Sequence, residues 1–197
     1  VISRRAVRLA AALATAAALA LTGLSDSASA ATTAPTGSLV IQEDSGFLQN
    51  SLQSGIVAIA LPNATVNYNA GTGFSGTFPV TGGSVNLGGY YGAVQLGGSL
   101  LVVNATTGRT VDFTNLAFDA ATWAVTGMPL GSSTPVNLFD PAGNVVSTKS
   151  GTTQNLSADD LEIDPAGAQY ADTALGTTFF AGGQHVGTTA LSFTAGS

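Results

Sequence analysis

Beyond Gly37 the chain is built of short apolar or alternating runs broken by Gly, Asn, Asp and Pro. The runs "GIVAIAL", "ATVNY", "GTFPV", "SVNLGG", "GAVQL" and "SLLVVNA" are followed by "RTVDFTNLAF", "TWAVTG", "VNLF", "NVVSTK", "DLEID" and "TALSF". β-branched and aromatic residues dominate them, and turn signals recur at near-regular spacing, the pattern of a sandwich or barrel. The fold class predicted is all-β, an antiparallel β-sandwich with one or two short helices. "NATTGR" (104–109) reads as a hairpin connection, because Gly108 readily takes positive φ.

One segment departs from the strand pattern. "EDSGFLQNSLQSG" opens with cap-capable Asp44 and Ser45, places Phe47, Leu48, Ser51 and Leu52 on one face, and stops at Gly55. That spacing predicts a helix of about three turns over 44–54. "AQYADTALG" offers a second, weaker helical turn. In "ADDLEIDPAG", alternation predicts Leu161 and Ile163 buried and Asp160, Glu162 and Asp164 exposed.

The first 30 residues have a different character. Arg4, Arg5 and Arg8 precede an apolar run from Leu9 to Leu21, and Ala28-Ser29-Ala30 supplies small residues at −3 and −1. This is the layout of a secretory signal peptide over 1–30, with cleavage after Ala30. The run is shorter than the ~18 apolar residues expected of a spanning helix, so no integral membrane span is expected in the mature chain. "SRRAVRL" is compatible with either twin-arginine or general secretion. Val1 suits a bacterial frame read literally from an alternative start codon. Residues 31–37 are expected to be a flexible leader and 38–197 a single domain, exported or held at the cell wall.

Removal of residues 1–30 changes the charge. Only Arg109 and Lys149 remain against ten of the eleven acids, a net charge of −8 where the whole chain has −6. Such a surface repels phosphate backbones and anionic lipid, which excludes nucleic acid as a partner. The absence of cysteine removes disulfides, thiolate metal sites and thiol nucleophiles together.

Few side chains remain that could carry chemistry. His185, in "FFAGGQHVG", is the only histidine. An axial haem ligand and a polar turn residue are its two readings; alone it cannot furnish a metal site of three or four ligands. Tyr90 and Tyr91 are adjacent, and strand alternation would point one inward and one outward. A phenolate could bind iron or a ring stack on a flat ligand, while cross-strand packing is the simpler use. Asp160, Glu162 and Asp164 copy the first positions of a calcium loop, but Pro165 replaces its glycine and Ala171 its closing glutamate. No metal site is therefore expected. No G-x-S-x-G elbow is present, and Asp112 and Asp119 face no identifiable second acid, so an enzyme is not expected.

Three stretches carry a family resemblance: "GSLVIQEDSGFLQNSL", "GFSGTFPVTGGSVNL" and "ADTALGTTFFAGGQHVGTTALSF". In order, and over nearly all of residues 38–197, they resemble the HtaA domain of actinobacterial secreted and cell-wall proteins, a family associated with haem and haemoglobin uptake. The resemblance implies a β fold with an opening strand and helix, and a haem-related role. It also implies positions for the iron-binding tyrosine and its supporting histidine, which here fall on Asn50 and Thr81; Ile41 stands where the family has a Trp. Asn is a poor iron ligand and Thr has no imidazole. Haem contact would then fall to His185, Tyr90 or Tyr91. The reading is an exported HtaA-like binding module, haem-related but without the usual ligand residues, whose partner is a small flat ligand or an envelope component. A structural or adhesive envelope module binding no cofactor is the alternative, and a secreted polysaccharide hydrolase the weaker one.

Overall fold

A computed structural model describes residues 33–197; the signal segment expected over 1–30 lies outside the described residues. The strand β1 (Thr36–Glu43) runs into α1 (Ser45–Gln53). Then come β2 (Ile56–Ala60), β3 (Thr65–Asn69), the long β4 (Gly73–Asn86), β5 (Tyr91–Leu96), β6 (Leu100–Asn104) and β7 (Arg109–Asp119). The chain ends with β8 (Ala124–Pro129), β9 (Val136–Ser150), β10 (Thr153–Ile163), α2 (Pro165–Leu175) and β11 (His185–Thr194). β1 begins inside the stretch expected to be a leader: Thr36 and Gly37 already pair with Thr194 and Phe193.

All strand pairs are antiparallel, and the short connections of β3–β4, β4–β5, β6–β7, β7–β8 and β9–β10 suit only that arrangement. The order β7-β5-β4-β1-β11-β10-β9-β8 returns to β7, so one sheet closes on itself. The two faces expected of a sandwich are thus opposite walls of a barrel-like sheet. Its interior holds Leu39, Phe78, Val94, Phe118, Leu156, Leu191 and Phe193, all essentially inaccessible.

Closure is incomplete at one end, and this positions the site. One edge of β7 is shared, Arg109–Phe113 bonding β6 and Ala117–Asp119 bonding β5. β4 is divided similarly, with β3 along residues 73–77 and β5 along 80–86. Beyond the end of β5 the sheet therefore splits into two flaps, β6 with β2 and β4 with β3. Among the described residues no ladder joins β2 to β3.

Two expected runs, "VNLF" and "NVVSTK", prove to be one strand, β9. The Pro141-Ala142-Gly143 sequence between them resembles a turn but forms a bulge. Gly143 has φ +66°, and the Asn144 amide donates to Asp159 Oδ1 at 2.7 Å. α2 starts at Pro165, with Asp164 as its cap accepting from the Ala166 amide at 2.6 Å, and stops at left-handed Gly176. Its last carbonyl, on Leu175, accepts from Asn104 Nδ2 and Thr107 Oγ1, which ties the helix to the β6–β7 hairpin.

Candidate ligand cavity

The split end of the barrel encloses a cavity of about 430 Å³, within the range of small-molecule sites. Helix α1 covers one side of it. The Asp44 carboxylate starts that helix by accepting from the amides of Gly46 (2.8 Å) and Phe47 (2.9 Å). Phe47, Leu48, Ser51 and Leu52 then face the cavity, the stripe that the sequence spacing predicts. β2 and β6 form a second wall, β1 and the first half of β4 a third, and Leu116 and Val125 lie at the depth of the barrel. Phe180 reaches in from the loop before β11, steadied by Phe179, whose ring lies 5.0 Å from it and 5.8 Å from Phe47.

The walls are almost wholly hydrocarbon. Ser51 satisfies itself by donating to the Leu48 carbonyl at 2.9 Å. Ser75 and Glu43 are the other polar side chains in the lining, and Glu43 is the one that can ionise. Burial pushes its carboxyl above the ordinary range. Leu52, Ile59, Val66 and Phe74 are exposed large apolar side chains among the lining residues, and Tyr68 stacks against Phe74 at 4.9 Å. Exposed apolar side chains grouped in this way are characteristic of binding surfaces.

The residues singled out from sequence lie elsewhere. His185 opens β11 with its ring about half exposed, and its Nδ1 lies 2.5 Å from Asp160 Oδ1. Tyr90 and Tyr91 do not alternate. Both are exposed, because Tyr90 is left-handed (φ +55°) and ends a 3-10 turn over Leu87–Gly89 before β5 begins. Tyr90 packs on Trp123 at 5.1 Å, and the Tyr91 hydroxyl accepts from Asn86 Nδ2 at 3.0 Å. Trp123 bridges Tyr90 and Phe118 in a left-handed turn. Asn50 is exposed on α1 and Thr81 is exposed on β4. None of these side chains lines the cavity, whereas Ile41 does.

The acidic run lies as alternation requires on its inner face, with Leu161 and Ile163 buried. Asp160, Glu162 and Asp164 are half-buried instead of exposed, and Asp160 and Asp164 have local partners. Asp164 caps α2 and hydrogen-bonds Asp140, whose pKa is raised to about 6 by burial first, then by the charge of Asp164 and their shared hydrogen bond, then by Glu162. Asp119 caps a turn through the Ala121 amide. Glu43 was missed in the sequence because it reads as part of the helix start. The signal was available: Leu39, Ile41 and Glu43 keep period two.

A bound haem would require an axial donor. Among the described residues, the lining has no imidazole, phenolate, thioether or thiolate, and no Lys or Arg to meet propionates. The donor set does not fit iron ligation.

No family model matches this chain, and no curated protein matches it in sequence. Among solved structures, it is similar to the C-terminal domain of HtaA from Corynebacterium glutamicum. The identity is 16%, the match covers 83% of this chain and 98% of that one, and the TM-score is 0.51. At that identity the likeness is one of fold.

Proposed function

We propose that this chain is an exported binding module on an HtaA-like fold that takes a small, largely apolar molecule in the cavity beneath α1. One observation carries the reading: an apolar cavity of about 430 Å³ in a β barrel that α1 covers on one side. Filling such a space removes hydrocarbon walls from water, worth roughly 25 cal/mol per Å² covered. The family's haem-related role extends to this chain only as affinity for an apolar body, not as iron ligation. Residual haem contact would fall to Tyr90, Tyr91 or His185, which are exposed and outside the cavity. A lone donor on an open surface is poorly preorganised and binds weakly.

Two titrations of the purified protein test this. The neutral fluorophore N-phenyl-1-naphthylamine should show saturable, blue-shifted enhancement. Hemin should give no sharp Soret band of a ligated iron. A tight hemin complex with such a band, surviving His185→Ala and the double change Tyr90→Phe/Tyr91→Phe, would overturn the reading.

A further inference from the structure

The ligand class follows from the single ionisable group in the cavity, and this inference rests on the cavity being the binding site. Period-two alternation in β1 puts Leu39, Ile41 and Glu43 on the cavity side. Gln42 stands on the other face, where it donates to the carbonyls of Thr72 and Phe74. Asp44, the next residue, is committed to the α1 cap and is not part of the lining. No cation among the described residues compensates Glu43 from within the cavity. The Arg109 guanidinium lies against Gly176 at the end of α2, and Lys149 lies on β9 opposite Gln154.

A carboxyl set in hydrocarbon walls without a counter-charge is costly to ionise. A ligand that brings a cation removes that cost, and one that brings an anion adds to it. We propose that Glu43 makes the cavity selective for apolar molecules with a cationic amine head over carboxylate amphiphiles of the same length. The amine pairs with Glu43 at the end of β1 while its apolar body lies along α1 and β2. The net negative charge of the chain favours cations too, but that long-range field is screened beyond ~8 Å at physiological salt. Glu43→Gln separates a preference set by Glu43 from one set by that field and by the neighbouring Asp44.

The test is displacement of N-phenyl-1-naphthylamine by decylamine, decanoate and decanol near neutral pH and at about 0.15 M salt. Decylamine should displace the fluorophore at a concentration at least roughly tenfold below that of decanoate, as expected for one poorly screened charge. In Glu43→Gln the two should come within about twofold of each other. Equal potency of decylamine and decanoate on the unaltered protein overturns the proposal without need of the variant. A preference that persists in folded Glu43→Gln overturns it as well. If the fluorophore fails to bind the unaltered protein, the cavity reading falls and this one with it; if it binds but shows no charge preference, only the present proposal falls.

Discussion

Asp140 illustrates how far single residues respond to their surroundings here. Its pKa is raised from 3.8 to about 6, so the folded chain holds that proton more tightly than the unfolded chain does. The stabilising contribution is complete below the unfolded value and is lost as pH rises through about 6. Asp140 is partly open to solvent, which reduces the effect to the order of 1 kcal/mol. Asp140→Asn should therefore raise the melting temperature near pH 7.5 by about 2–4 °C and change it little near pH 3.5. Thermal unfolding at the two pH values checks this; equal shifts at both would mean that the carboxyl is not strained by its neighbours. His185→Ala, by contrast, should leave N-phenyl-1-naphthylamine affinity within about twofold, because His185 contacts Asp160 and not the cavity. Residue identity made His185 and the tyrosines conspicuous in the sequence, being rare and chemically able. Glu43 was not conspicuous, because its role depends on which wall of a closed sheet it faces.

Elements were more legible. The α1 stripe, the β6–β7 hairpin and the inward Leu161 and Ile163 all follow from periodicity and turn chemistry, which are local. What periodicity missed was continuity, as where β9 passes through Pro141 and Gly143 by a bulge that only its pairing with β10 stabilises. Tyr90 escaped alternation for a related reason: a left-handed residue ends the preceding turn and resets the phase. The register of β10 makes a direct prediction. Leu161 is fully buried, so Leu161→Ala should cost on the order of 2–5 kcal/mol. Asp160→Ala should cost under about 1.5 kcal/mol, the worth of one half-exposed hydrogen bond to His185. Chemical denaturation of both variants would expose a register error as similar losses. The junction of β1 with β11 is stricter still. Gly187 has φ +156°, and a Cβ there would overlap the Gln42 carbonyl. Gly187→Ala should therefore cost more than about 2 kcal/mol or prevent folding, read as loss of soluble protein or of the unfolding transition.

At the scale of the whole molecule, the chain closes one antiparallel sheet and leaves it split where β2 and β3 diverge. Short alternating runs announce an all-β fold, but they do not state which strands share an edge of β4 or β7. The cavity arises from that sharing, so it could not be read from any stretch of sequence. Its lining draws on α1, on all eleven strands and on the Phe180 loop, residues far apart in the chain. The central claim is that ligands enter here, and not at the exposed tyrosines or the histidine. Amide and methyl chemical-shift mapping of the isotopically labelled protein, titrated with N-phenyl-1-naphthylamine, locates the site directly. Saturable shifts should centre on Phe47, Ser51, Ile56, Val102 and Phe180, with Tyr90, Tyr91 and His185 unmoved. Shifts centred on those last three residues, or no saturable shifts anywhere, would contradict the account.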